Sequence, residues 1–192
     1  NFIFLSSQNV LFDNDDLYTK TKREGEFIVR KLKNHVIIRP TIIYGPGDYR
    51  YIGKLIEYIT NHKIVPIVGN GENILQPLYI QDLTMFVAAC LTKNIKGTFL
   101  LAGKSRISYN QLVQMIMERI GVQKKLVHIP LPILRPIIYA GEKITNKLPI
   151  NSVQLKNIKK DQAYSTKEVE QILGNRLLTI EEGLDRMFSN GP

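Results

Sequence analysis

The chain has 192 residues, enough for one well-buried core or for one domain with a small second lobe. Hydrophobic residues make up 44% and charged residues 22%, an ordinary globular balance, and no 18-residue apolar span is present to form a membrane helix. The net charge of +9 comes from scattered lysines without interleaved aromatics, which argues against a nucleic-acid platform and fits a solvated surface or attraction of anionic small molecules.

Phe2-Ile3-Phe4-Leu5 is a continuous apolar run, the pattern of a strand buried on both faces of a parallel sheet. Asp13, Asn14, Asp15 and Asp16 then offer caps and favourable anions for a helix start. The spacing predicts a helix from about Asp16 to Lys33, with Leu17, Thr21, Gly25, Ile28 and Leu32 as its inward stripe. Gly25 weakens that helix, which implies close packing against a strand or ligand. Val36 to Ile38 reads as the next buried strand and completes a right-handed βαβ unit.

Gly45-Pro46-Gly47-Asp48 signals a turn, followed by a helix over Tyr51 to Asn61 and a strand over Ile64 to Val68. Gln76 to Ile80 reads as extended. Asp82, as a cap or an internal hydrogen-bond partner, begins a buried helix through Leu91, and Thr98 to Leu101 forms a strand. Ser108 and Gly121 bracket an amphipathic helix. Val127 to Pro130 leads into a Pro-bounded apolar helix to about Lys147, and short helices follow Ser165 and Thr179.

Cys90 is the single cysteine, so no internal disulfide can form, and a reducing, cytoplasmic setting is expected. His35, His62 and His128 lie far apart, and no metal site is expected. The amino end shows no basic leader or cleavage signature. A Gly-rich phosphate-cradling turn between strand and helix is missing too, because Arg50 stands where Gly45-x-Gly47 would need its third glycine. The simplest expectation is the carboxy-terminal part of a larger α/β protein.

Two Tyr-x-x-x-Lys pairs occur, Tyr18 with Lys22 and Tyr139 with Lys143, and about one such match arises by chance in a chain this rich in both residues. The second pair lies in an apolar helix, where snorkelling explains it. The first has a distinct setting. It follows a strand ending in Ser6-Ser7 and precedes one ending in Arg39-Pro40, and open α/β sheets place ligands at the carboxyl ends of their strands.

The series Phe2 to Ser7, Tyr18-x-x-x-Lys22, Arg39-Pro40-Thr41-Ile42-Ile43-Tyr44-Gly45-Pro46-Gly47-Asp48 and Gln76 to Leu83 resembles the extended short-chain dehydrogenase/reductases, which include the NAD-dependent epimerase/dehydratase enzymes. The resemblance runs through the whole chain in order and leaves out the family's amino-terminal half. It implies the distal part of a Rossmann-like parallel sheet over residues 1–45 and a smaller, mostly helical substrate-binding lobe over 46–192, with 80–102 packing back on the sheet. It also implies NAD or NADP as cofactor. Tyr18 would be the acid/base, its phenolate favoured by the Lys22 ammonium, and Lys22 would also bond the nicotinamide ribose. Ser7 would polarise the substrate carbonyl or hydroxyl, and backbone at Pro40 and Thr41 would face the carboxamide. Tyr44 and Arg50 are the candidates toward substrate, with Arg50 and Arg106 also readable as solvated surface.

Three departures bear on the substrate. The interval from Ser7 to Tyr18 is short for the nucleotide-sugar members, Ile42 stands where they often carry an asparagine, and Leu75 where they usually present an arginine to the diphosphate. Two readings stay open. One is an epimerase, dehydratase or reductase acting on a sugar nucleotide or a related carbonyl or alcohol, with a homodimer as one option for the full-length form. The other is a non-catalytic dinucleotide-binding or assembly subunit of the same fold. Neither needs nucleic acid or a membrane span.

Overall fold

The computed structural model describes residues 2–13, 15–142 and 161–189. The chain divides into two compact units. One comprises Asn1–Tyr51, Gln76–Arg106 and Tyr164–Pro192; the other comprises Ile52–Leu75 and Ile107–Ala163.

The first unit is built on a three-stranded parallel sheet of β1 (Phe2–Leu5), β2 (His35–Pro40) and β7 (Gly97–Leu101), in the order β1-β2-β7. Ile3 lies opposite Val36, and Val36 opposite Gly97. Helix α1 (Leu17–Val29) connects β1 to β2, as parallel pairing requires. The short strands β3 (Ile43–Tyr44) and β6 (Leu78–Tyr79) add a second parallel pair. Helices α3 (Ile80–Thr92), α6 (Lys167–Leu173) and α7 (Ile180–Ser189) complete the unit. Its core joins Val36, Ile38, Phe86, Phe99, Leu101 and Val169, with Phe86 and Phe99 edge to face at 5.3 Å. Cys90 is buried in that cluster, and burial pushes its thiol up to about 11, so it serves as packing.

Two expectations are corrected here. Phe2–Leu5 is not buried on both faces: β1 is the outermost strand, and Phe2 and Leu5 are 50% and 45% exposed. The inward face of α1 also differs, since Leu17, Thr21, Ile28 and Leu32 are exposed while Thr19, Glu26 and Val29 are buried. The physical reason is that Glu26 finds Ser6 and Arg39 as hydrogen-bond partners on the sheet side while Thr19 is bonded by the Asp16 cap, which outweighs the preference to bury the apolar stripe. Gly25 does pack closely, because an added Cβ would lie 2.4 Å from the Phe4 ring.

The second unit holds β4 (Ile64–Val68) parallel to β9 (Lys125–Ile129), and β5 (Ile74–Leu75) antiparallel to β8 (Ile107–Ser108). Its helices are α2 (Ile52–Asn61), α4 (Tyr109–Ile120) and α5 (Leu131–Glu142). Helix α4 begins in a capping box of Ser108 and Gln111 and ends on Gly121 at φ +73°, a left-handed position that suits glycine. The continuation of α5 to Lys147 and the Tyr139–Lys143 pair fall outside the described side chains. Among the described residues no helix is long and apolar enough to cross a membrane.

Candidate active site

Helix α1 is started by Asp16, whose Oδ1 accepts the Thr19 N–H at 2.9 Å while Oδ2 accepts the Thr19 hydroxyl at 2.6 Å. Burial pushes the Asp16 carboxyl up, but these bonds to Thr19 outweigh it and hold the group below its ordinary value. The cap fixes where the first turn lies and therefore where Tyr18 and Lys22 project, one turn apart on one face. Lys22 Nζ donates to the Leu5 carbonyl at 2.8 Å, at the end of β1. It lies 5.7 Å from the centre of the Tyr18 ring and 5.3 Å from that of Phe4. Tyr18 is half exposed and open to a ligand.

Ser7 is the second residue after β1 and is buried, its Oγ accepting the Asn9 N–H at 3.2 Å to cap the 3-10 helix Gln8–Leu11. Arg23, one residue past Lys22, donates to the carbonyls of Val10 and Phe12 and ties this segment to α1. At the end of β2, Thr41 is locked in place. Its N–H bonds the Leu101 carbonyl at 3.0 Å and its hydroxyl donates to the Gln76 carbonyl at 2.6 Å. Gln76 is itself buried and bonded to Gly103 and Tyr164, so Thr41 is tied to two anchored partners, Leu101 and Gln76.

The remaining candidates are placed differently. Tyr44 is 1% exposed, its ring edge to face with Tyr79 at 5.4 Å, so it belongs to the packing and not to an open surface. Arg50 is exposed, and its backbone N–H, like that of Tyr51, is held by Asp48 Oδ1 after the Gly45–Gly47 turn. Burial pushes the Tyr51 phenol up, the neighbouring Tyr18 and Asp48 add to this, and Arg50 opposes it. Arg106 donates to the Tyr164 carbonyl at 2.7 Å. Asp82 is an internal partner rather than the cap: Tyr79 takes the cap position of α3, and Asp82 Oδ2 accepts the Leu178 N–H at 3.1 Å.

One residue at this site escaped the sequence reading. Glu26 is 4% exposed and sits one turn beyond Lys22. It accepts from Ser6 Oγ at 2.6 Å, from Arg39 Nε at 2.8 Å and Nη2 at 2.5 Å, and from Arg30 at 3.3 Å. Burial pushes its carboxyl up, but the bonds from Arg39 and Ser6 with the guanidinium charges reverse the shift and hold it low. The available signal was the Tyr18–Lys22–Glu26 spacing together with Ser6 and Arg39 beside the site positions.

In the second unit, Leu75 is buried on β5 opposite Ile107. That unit also carries an open cavity of about 520 Å³ lined by Gly69, Asn70, Glu72, Leu131 and Asp161.

Comparison with known proteins adds a family. The model of the RmlD substrate binding domain matches residues 14–179. The chain is 26% identical to the N-acetyl-alpha-D-glucosaminyl-diphospho-ditrans,octacis-undecaprenol 4-epimerase of Escherichia coli O157:H7, over 88% of the chain and 55% of that protein. It is 23% identical to the mitochondrial NADH dehydrogenase [ubiquinone] 1 alpha subcomplex subunit 9 of Arabidopsis thaliana, over 73% of the chain and 36% of that protein. The structure of dTDP-glucose 4,6-dehydratase from Bacillus anthracis in complex with NAD superposes with a TM-score of 0.71 at 15% identity, over 97% of this chain and 60% of that one. This likeness bears on the fold, a Rossmann-like α/β architecture. The chain spans between 30% and 55% of the first curated relatives it matches.

Proposed function

The chain belongs to the RmlD substrate-binding-domain family of the short-chain dehydrogenase/reductase superfamily, and on that premise we propose that it carries the proton-transfer site of an NAD(P)-dependent epimerase, dehydratase or reductase. The observation that carries the reading is Lys22: its ammonium is fixed on the carbonyl of Leu5, two residues before Ser7 in the chain, and lies 5.7 Å from the centre of the Tyr18 ring. Tyr18 passes a proton to or from a substrate oxygen, and Lys22 steadies the charge that develops on the phenolic oxygen during transfer. Ser7 hydrogen-bonds the same substrate oxygen. The dinucleotide, when bound, exchanges the hydride.

The residues present fit such a cofactor. Lys22 has three N–H donors, of which one meets Leu5, so two remain for ribose hydroxyls. Pro40 and Thr41 lie at the carboxyl end of β2, the ligand end of a parallel sheet. The first unit then represents the distal part of the dinucleotide-binding domain, and the second supplies contacts to a sugar nucleotide or a related carbonyl or alcohol.

A second reading, a dinucleotide-binding or assembly subunit without turnover, is favoured by the apolar Ile42 and Leu75 and by the short Ser7–Tyr18 interval. The likeness to a respiratory-complex subunit points the same way. The two are separated in the whole protein containing this chain by measuring NAD(P)H binding and turnover over a panel of nucleotide sugars and simple carbonyls. Turnover of any panel member supports the enzyme reading. Tight NAD(P)H binding with no turnover across the panel would replace it with the subunit reading.

A further inference from the structure

We propose that Glu26 is a positioning residue that sets Ser7, the Tyr18–Lys22 pair and the Pro40–Thr41 backbone in mutual register; the inference rests on the acid/base reading of Tyr18. Glu26 is too buried to touch a substrate, and its charge is spent on Arg39 and Arg30. What sets it apart from an ordinary buried ion pair is where its partners stand. Ser6 immediately precedes Ser7, Arg39 immediately precedes Pro40, and Glu26 follows Lys22 by one helical turn. The carboxylate therefore joins the three segments that carry the site, next to a site group in two of them and one helical turn from Lys22 in the third.

The geometry along β1 sharpens this. Lys22 grips the Leu5 carbonyl at 2.8 Å and Glu26 grips the Ser6 hydroxyl at 2.6 Å. A single bond between helix and strand would fix a distance and leave α1 free to rotate about its axis. Two bonds from one helix face, to the last residue of β1 and to the residue after it, fix the rotation as well, and rotation of α1 is what aims Tyr18. Arg39 adds the third point, its Nε and Nη2 meeting both carboxylate oxygens, which locks the plane of the carboxylate against β2. Apolar packing of similar volume would give comparable stability but no directional constraint. Glu26 thus acts through its neighbours, with no contact to the reacting atoms.

The test is positional and uses the whole protein containing this chain, without substrate. The Asn9 amide signal reports the Ser7 hydroxyl, because that N–H donates to Ser7 Oγ. A 3-fluorotyrosine signal, assigned with Tyr18→Phe, reports the setting of Tyr18. Glu26→Gln and Ser6→Ala are compared with Val169→Ala, a truncation in the core of the same unit. We expect both Glu26→Gln and Ser6→Ala to move the Asn9 and Tyr18 signals by several linewidths, while Val169→Ala lowers stability and leaves them in place. If Glu26→Gln does not fold, Ser6→Ala decides alone, since it removes the Ser6–Glu26 bond and only one hydroxyl. Signals unmoved in Ser6→Ala, or moved equally in Val169→Ala, would overturn the positioning role. Because no turnover is read, failure of the acid/base assignment would leave these outcomes as they are, and the two claims fail separately.

Discussion

Glu26 and Asp82 are both carboxylates with less than a twentieth of their surface exposed, yet their surroundings drive them in opposite directions. Glu26 is held low by Arg39, Ser6 and Arg30 despite its burial. Its contribution to stability is present above the ordinary carboxylate range and is lost as pH falls through the lowered value. Glu26→Gln should cost about 2–3 kcal/mol at neutral pH by stranding Arg39 beside a neutral partner, and the gap should close in acid. Denaturant titrations at both pH values measure it. Asp82 is pushed up to about 6, by burial first and by Glu182 in addition, against the Leu178 N–H and Arg186. Its Oδ1 accepts no hydrogen bond among the described residues.

The sign for Asp82 is therefore reversed. Its contribution is full in acid and is lost as pH rises through about 6. The wild-type chain should lose about 1–3 kcal/mol of unfolding free energy on going from mild acid to neutral pH through this group, and Asp82→Asn should abolish that slope. An unchanged slope in the variant would refute the assignment. At this scale the sequence displayed Ser7, Tyr18 and Lys22 through their motif. Glu26 stayed hidden because a Lys-x-x-x-Glu spacing on a polar helix reads as a surface ion pair.

Among the elements, α1 carries most of the argument, and it is also where the hydrophobic pattern misleads. Leu17, Phe27 and Ile28 face outward, while Thr19, Gly25 and Glu26 face the sheet. Periodicity finds a face by its apolar residues, and this face is chosen by hydrogen bonds and by a glycine that admits Phe4. Local chemistry was far more legible: the Ser108 cap and the Gly121 terminator fall where their residue types indicate, and Asp16 is the one of the four candidates that caps α1.

Gly25 offers a discriminating test of that packing. Alanine is favoured over glycine inside a helix by about 1 kcal/mol, so Gly25→Ala on an open face would stabilise the chain. With the Phe4 ring 2.4 Å from the new Cβ, it should instead destabilise by about 1–2 kcal/mol. Combined with Phe4→Leu, the loss should vanish. A double-mutant cycle by thermal denaturation reads the coupling, and additive effects would show that Phe4 is not the obstacle.

At the scale of the whole molecule, the division into two units depends on pairings that no local pattern announces. Residues 64–68 pair with 125–129, and 74–75 with 107–108, so the second unit is assembled from two separated stretches of chain. Of these strands the apolar run Ile64 to Val68 was visible in the sequence, while the two-residue strands 74–75 and 107–108 were too short to show a pattern, and the partners were set by tertiary packing. The ordered motifs were enough to indicate the family, and the family match over residues 14–179 agrees with them. Ile42 and Leu75 carry the open question of substrate, because each is an apolar side chain where the family resemblance implies a polar one.

The most direct test of the central claim is Tyr18→Phe in the whole protein containing this chain, with turnover and NAD(P)H binding measured side by side. Phenylalanine keeps the ring beside Lys22 and removes only the proton-transferring hydroxyl. Turnover should fall by about 10²–10⁴-fold with cofactor binding largely retained. Undiminished turnover would contradict the account.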